Sequence, residues 1–331
     1  MPIRVLHVGL GPIGAAVARQ VATRSRFTPV GAVDIDPAKS GRDLGEIVGL
    51  DRRLRVPVSG DLRAVIKATR PDVAVLCTSS SLKKVWPHLD AVLALKLPVV
   101  STTEELAYPW WNQRALSKKI DAAARKAKVA VVGTGVNPGF TMDALPITLT
   151  GVCEDVRAIA VNRIQDARSR RLPFQQKIGC NLTAAEFQAR VDAGTVRHVG
   201  LTESIAMIAA AMGWKLDRVT DEITPVMSKD GISSPLLTVA PKRVCGLIQD
   251  GIGYVGGRPI ITLHMEAYLG APESYDSVEV DGTPKLSMKI AGGVHGDVAT
   301  ASITVNSIPR VLAATPGLHT MRTLPIPSWT S

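Results

Sequence analysis

A chain of 331 residues with 46% hydrophobic and 21% charged side chains can fill two cores, and it is too apolar to be disordered. Thirty-nine Lys and Arg against 29 Asp and Glu give +10, but only 4% of residues are aromatic. With no nucleic-acid motif, that excess reads as a solvated face that helps to attract an anionic cofactor. From Ile3 to Val8 the chain is apolar and β-branched, as a buried parallel strand is. Gly9-Leu10-Gly11-Pro12-Ile13-Gly14 follows, and then Ile13, Val17 and Val21 mark one stripe of a helix. A second apolar run, Val30 to Val33, ends at Asp34.

Strand, G-x-G-x-x-G, helix, strand and acid at these intervals form a dinucleotide fingerprint, whereas the glycines alone would be weak evidence. Gly9 serves the tight turn, Gly11 the approach of a pyrophosphate, and Gly14 the close packing of helix on strand. Pro12 suits a first helical turn, whose N–H groups and positive dipole end face the phosphates. Asp34 is placed to accept from a ribose diol, which favours NAD over NADP, and Lys39 and Arg42 lie near enough to soften that preference.

Beyond Asp34, a short strand is expected over Arg53–Val58, a helix over 61–68 and a buried strand over Asp72–Cys77, ending in Thr78, Ser79 and Ser80. These hydroxyls sit where an open α/β sheet binds ligands, or they cap the helix that follows. Strands at Leu97–Ser101 and Val129–Val132, with helices between, complete a doubly wound parallel sheet. Near residue 150 the texture changes to longer strands with turns at Gly256-Gly257 and Asp281-Gly282, which reads as a mixed or antiparallel sheet interrupted by helices near 183–193 and 201–213. The expected organisation is therefore α/β. A Rossmann domain spans 1–150, an α+β substrate and dimerisation domain spans 151–297, and a closing helix within 298–331 packs back on the first, before a proline-rich tail. The sheet over 219–290 has a face to spare, so a twofold homodimer is expected.

Two further stretches, Ser101–Tyr108 and Gly133–Phe140, follow strands of the parallel sheet. Ser101–Tyr108 carries Glu104 and Glu105, and a glutamate beside a nicotinamide can exchange a proton with substrate. Both also fit capping boxes, Ser101-x-x-Glu104 and Thr102-x-x-Glu105. Asn137, Pro138 and Gly139 form a turn that lets backbone approach the cofactor, with Phe140 beside it. Arg163 and Arg168, with Arg170 and Arg171, are candidates for a substrate carboxylate, or they are a solvated basic loop. His264 is a candidate pocket or partner residue, and His7 reads as core. The six histidines and four cysteines lack ligand spacing, so neither a metal site nor a disulfide framework is expected. No apolar run approaches the ~20 residues of a membrane span, and the first strand begins at residue 3, so a cytoplasmic protein is expected.

Gly9–Gly14 together with 34–46 (DIDPAKSGRDLGE), 101–109 (STTEELAYP), 133–140 (GTGVNPGF) and 306–325 resembles the 2,4-diaminopentanoate dehydrogenases and the native amine dehydrogenases. These families share the two-domain plan of dihydrodipicolinate reductase, but that enzyme's paired histidines and K-x-x-P-S-G-T loop are absent here. The resemblance implies an NAD(P)-dependent amine dehydrogenase that interconverts a primary amine with a ketone or aldehyde plus ammonia. Glu104 is then the residue that acts on the amine, with Glu105 the second choice. The family usually has aspartate where this chain has Thr323. The alternatives are an imine or enamine reductase of dihydrodipicolinate reductase type, and a dinucleotide sensor without turnover.

Overall fold

Buried β-branched runs separated by amphipathic helices build the first of two compact units, residues 1–140 with 295–331, in a computed structural model that describes residues 1–331. In order they are β1 (Ile3–Val8), α1 (Pro12–Thr23), β2 (Phe27–Val33), α2 (Leu44–Ile47), β3 (Val58–Ser59), α3 (Leu62–Thr69), β4 (Val73–Leu76), α4 (Leu82–Ala94), β5 (Val99–Ser101), α5 (Arg114–Ala127) and β6 (Ala130–Gly133). The second unit, 141–294, holds α6 (Ala144–Leu149), β7 (Asp155–Asp166), α7 (Leu172–Lys177), α8 (Ala184–Asp192) and α9 (Leu201–Met212). It continues with β8 (Arg218–Met227), β9 (Ile232–Ser233), β10 (Thr238–Val239), β11 (Val244–Val255), β12 (Arg258–Tyr268), β13 (Tyr275–Thr283) and β14 (Leu286–Ala291). α10 (Gly296–Ala313) and β15 (Gly317–His319) return to the first unit.

The first unit's sheet runs β15-β6-β5-β4-β1-β2-β3, all parallel, so strand order reverses between β1 and β4. That switch point is where such a sheet opens a crevice at its strand ends. α10 lies against α1 and is tied to it by Gln20 Nε2 donating to Ser302 Oγ (3.0 Å) and Arg24 Nη1 donating to Asn306 Oδ1 (2.6 Å). The second unit's sheet runs β14-β13-β7-β12-β11-β8 and is antiparallel except where β7 pairs with β12. Its inward residues, among them Ile159, Val161, Ile261 and Leu263, pack with Leu201, Ile205 and Ile208 of α9.

Four details depart from the sequence reading. The strand expected over 53–58 shrinks to Val58–Ser59, because Asp43 takes the N–H groups of Leu54 (2.8 Å) and Val56 (3.1 Å), and Arg55 has φ +59°. Asp281-Gly282 is not a turn but a bulge inside β13. A Cβ on Gly282 would lie 2.3 Å from the Asp155 carbonyl oxygen, so the bulge depends on glycine. The tail is not only loop, since Gly317–His319 adds a seventh strand beside β6. The first unit ends at residue 140 rather than 150, because Met142, Leu145, Ile147 and Leu149 join the core of the second.

Candidate active site

Gly9 has φ +86°, and a Cβ there would meet the Cys77 carbonyl oxygen at 2.6 Å. A Cβ on Gly14 would stand 1.9 Å from the Gly9 oxygen, so the α1 helix touches the turn only because both are glycines. Gly11 differs, for nothing lies within 4 Å of where its Cβ would project. That open approach, at the start of a helix with no side-chain cap and Pro12 and Ile13 in its first turn, fits a pyrophosphate. The residues present therefore fit a dinucleotide.

Asp34 follows β2, and its side chain is only 8% exposed. Oδ2 accepts from Leu10 N–H (2.6 Å) and from Lys39 Nζ (3.1 Å), and Oδ1 accepts from Asp36 N–H (2.8 Å). Burial raises the Asp34 carboxyl, but the Asp36, Leu10 and Lys39 donors outweigh it and hold the group below the usual carboxylate range. Arg42 instead pairs with Glu46 at 2.7 Å.

The ends of β4, β5 and β6 are laced together. Thr102 N–H donates to the Leu76 carbonyl (3.0 Å) and Thr134 N–H to the Ser101 carbonyl (2.8 Å). Thr78, Ser79 and Ser80 lie in the β4–α4 loop, where Ser79 Oγ accepts Ser81 N–H at 3.2 Å. No hydroxyl caps α4. Its cap comes from outside, as Glu105 Oε2 accepts Leu82 N–H at 2.8 Å while Glu105 N–H donates to the Ser80 carbonyl at 3.3 Å.

Glu104 and Glu105 open a 3-10 turn, Glu104–Leu106, directly after β5. Thr103, rather than Ser101 or Thr102, stands at its N-cap and makes no side-chain cap bond. Ser101 Oγ donates to the Leu76 carbonyl (3.1 Å) instead. Both carboxylates are half-buried past the strand end, and Glu105 holds the neighbouring loop. Gly133 lets that turn come close, since a Cβ there would be 2.5 Å from the Leu106 carbonyl carbon.

Asn137, Pro138 and Gly139 are buried after β6, and Phe140 beside them is half-buried. Gly139 has φ +127° and lies against Gly135. Thr300 of α10 steadies the segment by accepting Val136 N–H at 3.3 Å. Sequence reading missed both Thr300 and the Glu105 cap, because each acts on a segment far along the chain and leaves no local pattern. Cys77 lies close by, but burial pushes its thiol up to about 12, so it stays protonated and is no nucleophile.

In the second unit the structure separates the residues considered for substrate. Arg163 (3% exposed) is paired at 2.5 Å with Asp276, itself 3% exposed, and also donates to the Val294 carbonyl at 2.9 Å. His264 pairs across strands with Asn162, so it projects from the opposite face of the sheet to Arg163. It lies between Asp250 (Nδ1, 2.6 Å) and Glu266 (Nε2, 2.9 Å). Burial lowers the imidazole, but those two carboxylates prevail and raise it. Arg168 is exposed and held by Asp166. Half-buried His198 is instead pulled down to about 3, by desolvation and then by the positive charges of Lys177, Arg163, Arg197 and Arg170. His7 is a neutral core residue, likewise pulled down to about 3 by burial. No group of three or more His, Cys, Asp or Glu has the arrangement to hold a metal ion.

Residues 140–330 match the 2,4-diaminopentanoate dehydrogenase C-terminal domain, and residues 3–132 match the dihydrodipicolinate reductase N-terminus. The chain is 33% identical to 2,4-diaminopentanoate dehydrogenase of Acetoanaerobium sticklandii, over 98% of this chain and 94% of that protein. It is 22% identical to an amine dehydrogenase of Streptomyces virginiae, over 96% and 95% of the two chains. A solved amine dehydrogenase from Mycobacterium smegmatis superposes with a TM-score of 0.89 at 25% identity, covering 100% of this chain and 98% of that one. A Rossmann fingerprint, a glutamate at the end of β5 and a match along nearly the whole chain lead to one conclusion: the chain belongs to the 2,4-diaminopentanoate dehydrogenase family.

Proposed function

We propose that the chain is an NAD(P)-dependent amine dehydrogenase that converts a primary amine and water to a ketone or aldehyde and ammonia, and also runs the reverse. The observation that carries this is a glutamate, Glu104, just past β5 of the dinucleotide-binding sheet, in a chain that matches 2,4-diaminopentanoate dehydrogenase along nearly its whole length. A dinucleotide held by the Gly9, Gly11 and Gly14 turn and Asp34 would supply the hydride chemistry through its nicotinamide. Glu104 takes a proton from the substrate ammonium, so that the amine lone pair can help expel hydride from the carbon. Once that proton has passed to solvent, Glu104 takes a proton from the water that adds to the resulting imine carbon, and it returns this proton to the departing ammonia. Asn137–Gly139 supply backbone on the other side of the β5 turn.

The relative's name gives it a diamino acid, which supports a substrate with an anionic arm here too. The half-exposed face of the second sheet, with Ile248, Ile252, Thr262 and the His264 cluster on it, supports a homodimer. Light scattering at micromolar concentration checks this, and a monomer would remove it. Four free cysteines and the absence of a helix able to cross a membrane support a reducing, cytoplasmic setting.

The function is tested by offering primary amines and diamino acids with NAD⁺ and measuring reduced cofactor and ammonia together. Equal yields of both, with acids preferred over uncharged amines, are expected. Reduced cofactor without ammonia would overturn the reading, and equal use of uncharged amines would overturn the anionic arm.

A further inference from the structure

At the far end of α1 from the glycine turn, about 18 Å along a 12-residue helix, a hollow of about 440 Å³ lies among that helix, the start of β2 and the loop before β3. Arg24, Arg52 and Arg53 line it, with Ser25 and Thr28, and no Asp or Glu does. The carbonyl end of a helix draws one cation, and Arg52 fills that part by donating to the Ala22 carbonyl at 2.7 Å. Two more guanidiniums are left to explain. Arg24 is half-buried, yet its guanidinium donates only to the side-chain amides of Asn306 and Gln20, both at 2.6 Å. Burial lowers it below its ordinary value, and no carboxylate offsets that. The Arg53 side chain has no partner. A neighbouring hollow of about 450 Å³ shares Arg53 but has Asp43 and Glu46 on its walls, and Glu46 pairs with Arg42 at 2.7 Å. That hollow supplies its own counterions, and the first does not.

We propose that the hollow at the end of α1 binds a phosphate monoester. Guanidinium forks match phosphate oxygens, so Arg53 takes the phosphate together with the free donors of Arg24 and Arg52. Ser25 and Thr28 supply hydroxyls, and Phe27 and Leu54 give the same hollow an apolar side for the organic body. Its volume is that of a small-molecule site and far more than one phosphate fills. The loop carrying the arginines is set in advance, because Asp43 accepts the N–H of Leu54, next to Arg53, at 2.8 Å. Little ordering is therefore lost on binding. The site is separate from the dinucleotide cradle at the other end of α1 and does not depend on it.

The test is calorimetric titration with phenyl phosphate, on the protein alone and with excess NADH to occupy the glycine turn. One phenyl phosphate per chain is expected, with a dissociation constant of about 1 mM or tighter in both settings. Inorganic phosphate should bind about tenfold more weakly, since it leaves the apolar side uncovered. Arg53→Ala breaks no internal bond and should weaken phenyl phosphate about tenfold, the size of a lost charge-assisted hydrogen bond. Arg63→Ala removes the same charge from the exposed face of α3 and should change the affinity less than about twofold. An unchanged affinity in Arg53→Ala, or an equal loss in Arg63→Ala, would overturn the site in favour of diffuse surface charge. Loss of binding with NADH present would place the phosphate in the glycine turn instead and overturn it as well. Equal affinity for inorganic phosphate would overturn the organic body.

Discussion

The two sheets of this molecule use their strands in opposite ways. In the parallel sheet, β4, β5 and β6 are buried throughout, and polar groups with a task begin just past each strand, at Cys77–Ser81, Thr102–Glu105 and Thr134–Asn137. In the mixed sheet, β12 alternates buried and half-exposed residues along its length, and Asn162, Asp250, His264 and Glu266 lie within strands. A polar residue in the first sheet is understood from its distance past a strand. In the second it is understood from its parity, which is why Arg163 and His264, plausible partners by residue type, project from opposite faces.

Substitutions can break that contrast, starting with the strand-end chemistry. Glu104→Ala should lower kcat by roughly 10²–10⁴ with nearly unchanged thermal stability and cofactor affinity. A fall in melting temperature with normal turnover would move Glu104 to a structural role. Within the mixed sheet the largest effect should come from Asp276→Ala, which strands the buried Arg163 charge and should cost about 3–5 kcal/mol in denaturant unfolding. A loss under about 1 kcal/mol would show that water or other acceptors replace the carboxylate.

Asp43→Ala should cost about 2 kcal/mol, since Gly45, Leu54 and Val56 lose their acceptor. Burial raises the Asp43 carboxyl, but the Leu54, Gly45, Val56 and Arg55 N–H groups outweigh it and depress it in the folded state. Its contribution is thus full above the unfolded value of about 3.9 and is lost as pH falls through the lower folded value. The deficit of Asp43→Ala at pH 7 should therefore shrink below about pH 4, and a pH-independent deficit would rule out ionisation as its source. The smallest effect is expected from Glu105→Ala, about 1 kcal/mol for a lost helix cap. Glu105→Gln should recover most of it, and an equal loss in both variants would show that the charge and not the hydrogen bond matters.

Much of this was legible in the sequence because it is periodic or local. β1, the glycine turn, α1 and Asp34 are adjacent along the chain, and β11 and β12 show their alternation. What stayed hidden depends on partners far away. Asp43 dissolves a strand ten residues on, Glu105 caps a helix 23 residues back, and β15 finds β6 across the whole second unit. A bulge and a turn also share the residues Asp and Gly, so Asp281-Gly282 could be told apart only by its neighbour Asp155.

The central claim is that ammonia is a reactant at the strand end that carries Glu104. The most direct measurement follows NADH absorbance with a panel of ketones and amino-ketones, with and without ammonium. The account predicts no oxidation without ammonium, a rate that saturates with it, and one amine formed per NADH consumed. NADH oxidation at the same rate without ammonium would contradict it and would make the protein a reductase of another kind.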